Sequence, residues 1–125
     1  MIELSRDTGL DVLRPQGTST SDVTPVAGNR QGYDSALVVV RVTGFTSGTH
    51  TFEMRVSGDN SSFRAPGSAL ADETLVIESG ADTGQYALDY LGSGPYVGIQ
   101  KLQSGTSPEV TFGAYLIKSD KARTG

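Results

Sequence analysis

Two stretches of this chain carry an apolar side chain at every second position. Phe52, Met54 and Val56 alternate with Thr51, Glu53 and Arg55, and Val110, Phe112, Ala114 and Leu116 alternate with Thr111, Gly113, Tyr115 and Ile117. That period puts each apolar set on one face of an extended strand, whereas a helix needs a repeat of about 3.6 residues. Residues 36–43 (ALVVVRVT) are β-branched and almost continuously apolar, as expected of a central strand covered on both faces. GFTSGT, at 44–49, reads as the link from that strand to the one ending at Val56. Further strands are expected at 74–78, 85–91, 96–102 and 110–118, and only 68–72 hints at a helical turn. The 16 glycines, with many Ser and Thr, punctuate these segments, which favours an all-β fold.

Residues 1–35 are patterned differently, because Ile2, Leu4, Leu10, Val12, Leu13, Val23 and Val26 are diluted by Thr, Ser, Gly, Asp and two prolines. They read as an extended N-terminal arm with two short strands, followed by a body over 36–125. At 125 residues the chain is one domain, large enough for a real core. Packing that many short antiparallel strands gives an antiparallel β-sandwich, of which a jelly roll is one topology. Strand order stays open at this level. Val40, Phe52, Val56, Ile99 and Phe112 are the expected core.

Composition removes several function classes. Cysteine is absent, so disulfides, thiol catalysis and thiolate metal sites are excluded. A net charge of −4 disfavours wholesale binding of nucleic acid phosphates. No apolar run reaches the roughly 18 residues of a membrane span, and the opening MIELSRDTG carries no secretory pattern.

Each chemical motif has a plain structural competitor. Asp-Thr-Gly occurs at 7–9 and 82–84, but neither copy follows the apolar strand that leads into an aspartic-protease carboxylate, so both read as polar turns. GSGPYVG, at 92–98, resembles a phosphate loop; Pro95 removes an N–H and a strand comes after it, so a tight turn is the better reading. His50 is the single histidine and reads as a solvated loop or strand-edge residue. No G-x-S-x-G elbow or calcium loop is present, although Asp59 and Asn60 could hold an adventitious ion. No enzyme activity and no cofactor is expected. Between Arg64 and Lys101 lie Asp72, Glu73, Glu78, Asp82 and Asp89, with no base, while Lys118, Lys121 and Arg123 cluster near the C-terminus. Solvated surfaces account for both, and opposite-signed ends that orient copies are the sharper alternative.

Residues 2–9 (IELSRDTG), the block YDSALVVVRVTGFTSGTHTFEMRVSGDNSSF at 33–63, and PYVGIQKL at 95–102 followed by a last strand resemble small proteins of tailed-phage head modules. In that family a strand, a glycine loop with Gly-Thr, a second strand and a Ser-Asp-Asp/Asn turn closed by an aromatic residue succeed one another. Ser57, Asp59, Asn60, Ser61, Ser62 and Phe63 fit this pattern, with Gly58 where an acidic residue is common. The resemblance implies a capsid decoration, or cement, protein: a β-sandwich bound to the outer surface of the virion capsid and made in the bacterial cytoplasm. It implies the major capsid protein as partner and neither nucleic acid nor membrane; whether neighbouring copies form a trimer or other oligomer, or sit alone, stays open at this level. The arm, through Ile2, Leu4, Leu10 and Leu13, is the expected capsid contact. A host-attachment or carbohydrate-binding module using Tyr33, Tyr86, Tyr90, Tyr96 or Tyr115 is one alternative, and a head-tail connector or tail component is another.

Overall fold

The computed structural model describes residues 8–30, 35–66, 74–90 and 94–119. They form six strands, β1 (Thr8–Ser19), β2 (Val23–Asn29), β3 (Ser35–Ser57), β4 (Thr74–Ile77), β5 (Gly84–Tyr90) and β6 (Tyr96–Ser119), with one 3-10 turn at Gly80–Asp82. Every pairing is antiparallel. The helical hint at 68–72 lies outside the described residues.

β3 and β6 run for 23 and 24 residues, several times the usual strand of about six. They stay paired because each is broken in the middle by irregularity. Their register moves from Phe45↔Val110 through Ser47↔Glu109 to Thr49↔Ser104, which leaves residues 105–108 bulged opposite Gly48. Positive φ angles at Gly48 (88°), Gly105 (106°) and Ser107 (48°) make room for this, and such bulges bend a strand and re-aim the side chains beyond the bend. The expected link at 44–49 and the gap between the strands at 96–102 and 110–118 are therefore both absorbed into continuous strands. The Ser47 hydroxyl donates to the Ser107 carbonyl at 2.6 Å and the Thr46 hydroxyl to Glu109 Oε2 at 3.1 Å, pinning the two bends together.

On one side of the bend the order is β1-β6-β3-β5, and on the other it is β2-β6-β3-β4. The halves face each other as the two layers of a sandwich, which fixes the strand order that sequence left open. Val38, Val40, Val42, Leu88, Phe112, Ala114 and Leu116 from the first layer meet Phe52, Met54, Val56, Ile77, Val97 and Ile99 from the second in one core. The Phe52 and Phe112 rings meet edge to face at 4.8 Å. All five expected core residues are buried.

The two strands expected within residues 1–35 are β1 and β2, described over 8–30, and each adds one strand to a layer by pairing with β6. Bulges between Val12 and Arg14 and between Arg14 and Gly17 change which parity faces inward, so β1 shows no clean period of two. Leu13 enters the core. Deleting residues 1–17 is thus expected to abolish cooperative thermal unfolding, followed by circular dichroism, because β6 loses a neighbour and the core loses Leu13.

Candidate interaction surface

Alternation along the first layer sends Leu116, Ala114, Val38 and Val40 inward, so their neighbours point to its outer face. Cross-strand register builds two rows there: Leu10, Ile117 and Leu37, ending at Asp89, and Val12, Tyr115 and Val39, ending at Ala87. Six apolar or aromatic residues from three strands therefore adjoin on this side of the layer, Leu37, Tyr115 and Ile117 half-buried and Val39 buried among them. Leu10 and Val12 are 62% and 57% exposed. Gln16 closes one side of the patch, its amide nitrogen donating to the Arg41 carbonyl at 3.0 Å and to Thr43 Oγ1 at 2.9 Å. Gly113 has no side chain because the Tyr115 hydroxyl and the Gln16 amide oxygen lie 2.8 and 2.6 Å from where its Cβ would stand. Among the described residues β1 pairs with β6 alone. Pro15 and the two bulges blunt its far half, leaving the regular segment that bears Leu10 and Val12.

The outer face of the second layer is built from different chemistry. Glu53 Oε1 accepts from Arg55 at 3.1 Å and from the Gln100 amide at 2.8 Å, tying β3 to β6 through polar groups. Leu102 and Val76 are half-exposed there but stand on either side of Thr51. The two broad surfaces of the sandwich are thus unlike: one carries adjoining apolar rows, the other a polar ladder.

Of the expected contact residues, Leu10 lies in the apolar rows, whereas Leu13 is 8% exposed and packs in the core. Ile2 and Leu4 lie outside the described residues. Val12, Leu37 and Ile117 were missed as surface candidates, and Tyr115 was named only for the carbohydrate-binding alternative. For Leu37 and Ile117 the signal was double parity, since ALVVV and AYLI are apolar at both odd and even positions. For ALVVV that reading led to a strand covered on both faces; among the described residues the second layer covers the Val38 and Val40 face, while on the other face Val39 is buried and Leu37 half-buried between neighbouring strands.

The remaining motifs serve local structure. In the Ser57–Ser62 turn, Asp59 Oδ1 accepts from the Ser57 hydroxyl (2.9 Å) and from the Ser61 and Ser62 backbone N–H groups (2.9 and 3.0 Å). The N–H of Ser62, then that of Ser61 and the Ser57 hydroxyl, hold the carboxyl below its ordinary range. This acid folds the turn. Asp82 of the second Asp-Thr-Gly accepts from the N–H groups of Glu78 and Ser79 at 2.9 and 3.1 Å, and Asp7 lies outside the described residues. The Gly94 carbonyl accepts from Arg30 Nε at 2.6 Å, and its N–H donates to the Tyr90 hydroxyl at 2.8 Å. Lys118 pairs with Asp11 at 3.1 Å, while Glu78 and Asp89 are exposed. Among the described residues no group of three His, Asp or Glu side chains could hold a metal ion, and no helix is long and apolar enough to cross a membrane.

His50 departs from its expected solvated setting. The bulge turns it inward on the same parity as Phe52, and it is 0% exposed. Beside it lies Lys101, 1% exposed, a residue not singled out in the sequence although it continues the inward parity of Val97 and Ile99.

No protein-family model and no curated protein sequence matches the chain. Among solved structures it is similar to the SPBc2 prophage-derived protein YomS, with 13% identity and a TM-score of 0.53 over 89% of this chain and 93% of that one. It is also similar to a Bacillus endospore appendage protein, at 15% identity and a TM-score of 0.45 over 91% of this chain and 88% of that one. A third likeness is to the structure of infectious bursal disease virus, Gx strain, at 9% identity and a TM-score of 0.40, covering 94% of this chain and 33% of that one. What the chain shares with YomS is its all-β fold.

Proposed function

We propose that this protein is a virion component of the capsid-decoration type, which lays the outer face of its β1-β6-β3-β5 layer against an assembled phage shell and bridges neighbouring capsid subunits. The observation that carries this reading is the contrast between the two outer faces, one apolar around Leu10 and Val12 and the other polar around Glu53, Arg55 and Gln100. A protein held on a larger surface needs one adhesive face and one solvated face. The resemblance of residues 33–63 and 95–102 to head-module proteins supports the same reading. A shell repeats its epitope many times, so a copy that touches two subunits at once gains effective concentration beyond the strength of either contact. The reading assigns no catalytic step.

Burying Leu10 and Val12 stabilises a complex by about 3 kcal/mol, on the order of a hundredfold in affinity. Co-sedimentation with capsids lacking this protein tests the proposal. The wild type is expected to pellet with them, and Leu10→Asp/Val12→Asp to bind at least about a hundredfold more weakly while keeping its β spectrum. Leu102→Asp, on the opposite face, is expected to bind like the wild type. Wild-type protein that stays in the supernatant rejects the decoration role; a double variant that binds normally rejects this face.

A further inference from the structure

His50 and Lys101 meet at the bend where β3 and β6 pass from one layer to the other. The Lys101 ammonium donates to His50 Nδ1 at 3.2 Å and to the Gln103 side-chain oxygen at 2.7 Å. His50 Nε2 stands 2.9 Å from the Ser47 carbonyl, an acceptor, so Nε2 carries the ring proton and Nδ1 presents its lone pair to the lysine. This arrangement requires a neutral imidazole. A second proton, on Nδ1, would replace the hydrogen bond with two cations in contact where water does not reach.

Every element around the pair bears on its charge. From β1 comes Arg14, whose guanidinium lies over the Phe112 ring at 4.8 Å and adds positive potential at Lys101. The connection between β1 and β2 supplies Asp22, which accepts from the Gln103 N–H at 2.8 Å and favours the ammonium. On β6, Glu109 accepts from Thr46 at 3.1 Å, and its backbone favours the charged ring. β4 places uncharged Ile77 opposite His50, and the Phe45 ring meets the imidazole edge-on at 6.2 Å. Burial, the largest influence, and then the lysine charge push the ring below its ordinary value of 6.5, against the Ser47 and Glu109 backbone groups. Burial also pulls Lys101 down to about 8, with Asp22 opposing and Arg14 assisting.

We propose that the His50–Lys101 pair is an acid-sensitive latch on the bend: protonation of His50 Nδ1 displaces the Lys101 ammonium and loosens the junction between the two layers. With the folded ring held below 6.5, the unfolded chain takes up the proton first on acidification. Stability from this pair is intact above about pH 6.5 and is lost as the pH falls through the folded value.

Thermal unfolding of the full chain between pH 7.5 and pH 5 tests the latch, because His50 is the only histidine and ordinary carboxylates stay ionised over most of that interval. The wild type is expected to lose about 5 °C more in Tm across the interval than His50→Gln. Parallel profiles overturn the proposal. If the variant does not fold, the imidazole resonances of the wild type decide. Titration below 6.5, accompanied by loss of native signals, supports the latch, and ordinary titration with the native spectrum intact overturns it. In Lys101→Met the ring is expected to titrate closer to 6.5; an unmoved titration removes the lysine from the device.

Discussion

Truncation of Phe52 or Phe112 to alanine is expected to cost about 3–5 kcal/mol in either case, read as a lower urea midpoint at unchanged slope. Both rings are fully buried and come from opposite layers, Phe52 beyond the bend in β3 and Phe112 before the end of β6. Their edge contact at 4.8 Å is a point where the layers hold each other, and the site cannot collapse without moving two sheets. Arg14 also rests on the Phe112 ring, so Phe112→Ala removes the surface that shields a guanidinium. Because the rings touch, the double variant is expected to lose less than the sum of the two single losses. Two unchanged midpoints would mean that these side chains do not form the centre of the core.

Gly98→Ala is expected to destabilise by about 3 kcal/mol, despite adding a single methyl group. A Cβ there would run into the Val26 carbonyl and stand 2.5 Å from Ala27 Cα. Both obstacles are backbone atoms of β2, so no rotamer change relieves them, and β2 must give up its pairing along 26–29. Gly58→Ala is the control, since nothing lies within 4 Å of the added atom, and a change within about 0.5 kcal/mol is expected. Urea titration of both variants separates the two cases. The glycine motif at 92–98 thus has a packing reason at its last position, where one backbone crosses close to another.

Local pattern was sufficient for the class of fold and for most inward-facing residues. Side chains alternate across any extended strand whatever its neighbours, so the parity of Phe52, Met54 and Val56, or of Phe112, Ala114 and Leu116, identified a core face before any pairing was known. The same rule failed in β1, where two bulges change the parity between Val12 and Gly17 and make an integral strand resemble an irregular arm. It also left the strand around ALVVV ambiguous, because Leu37 reveals its outward direction only once the second layer has taken the other side. Pairing order, the bend and the burial of His50 beside Lys101 came from contacts between distant segments: Gly48 opposite residues 105–108, and β1 and β2 on either half of β6. A strand's periodicity is a property of its own backbone. Which face stays uncovered, and which base loses its water, depends on what the rest of the chain packs against it.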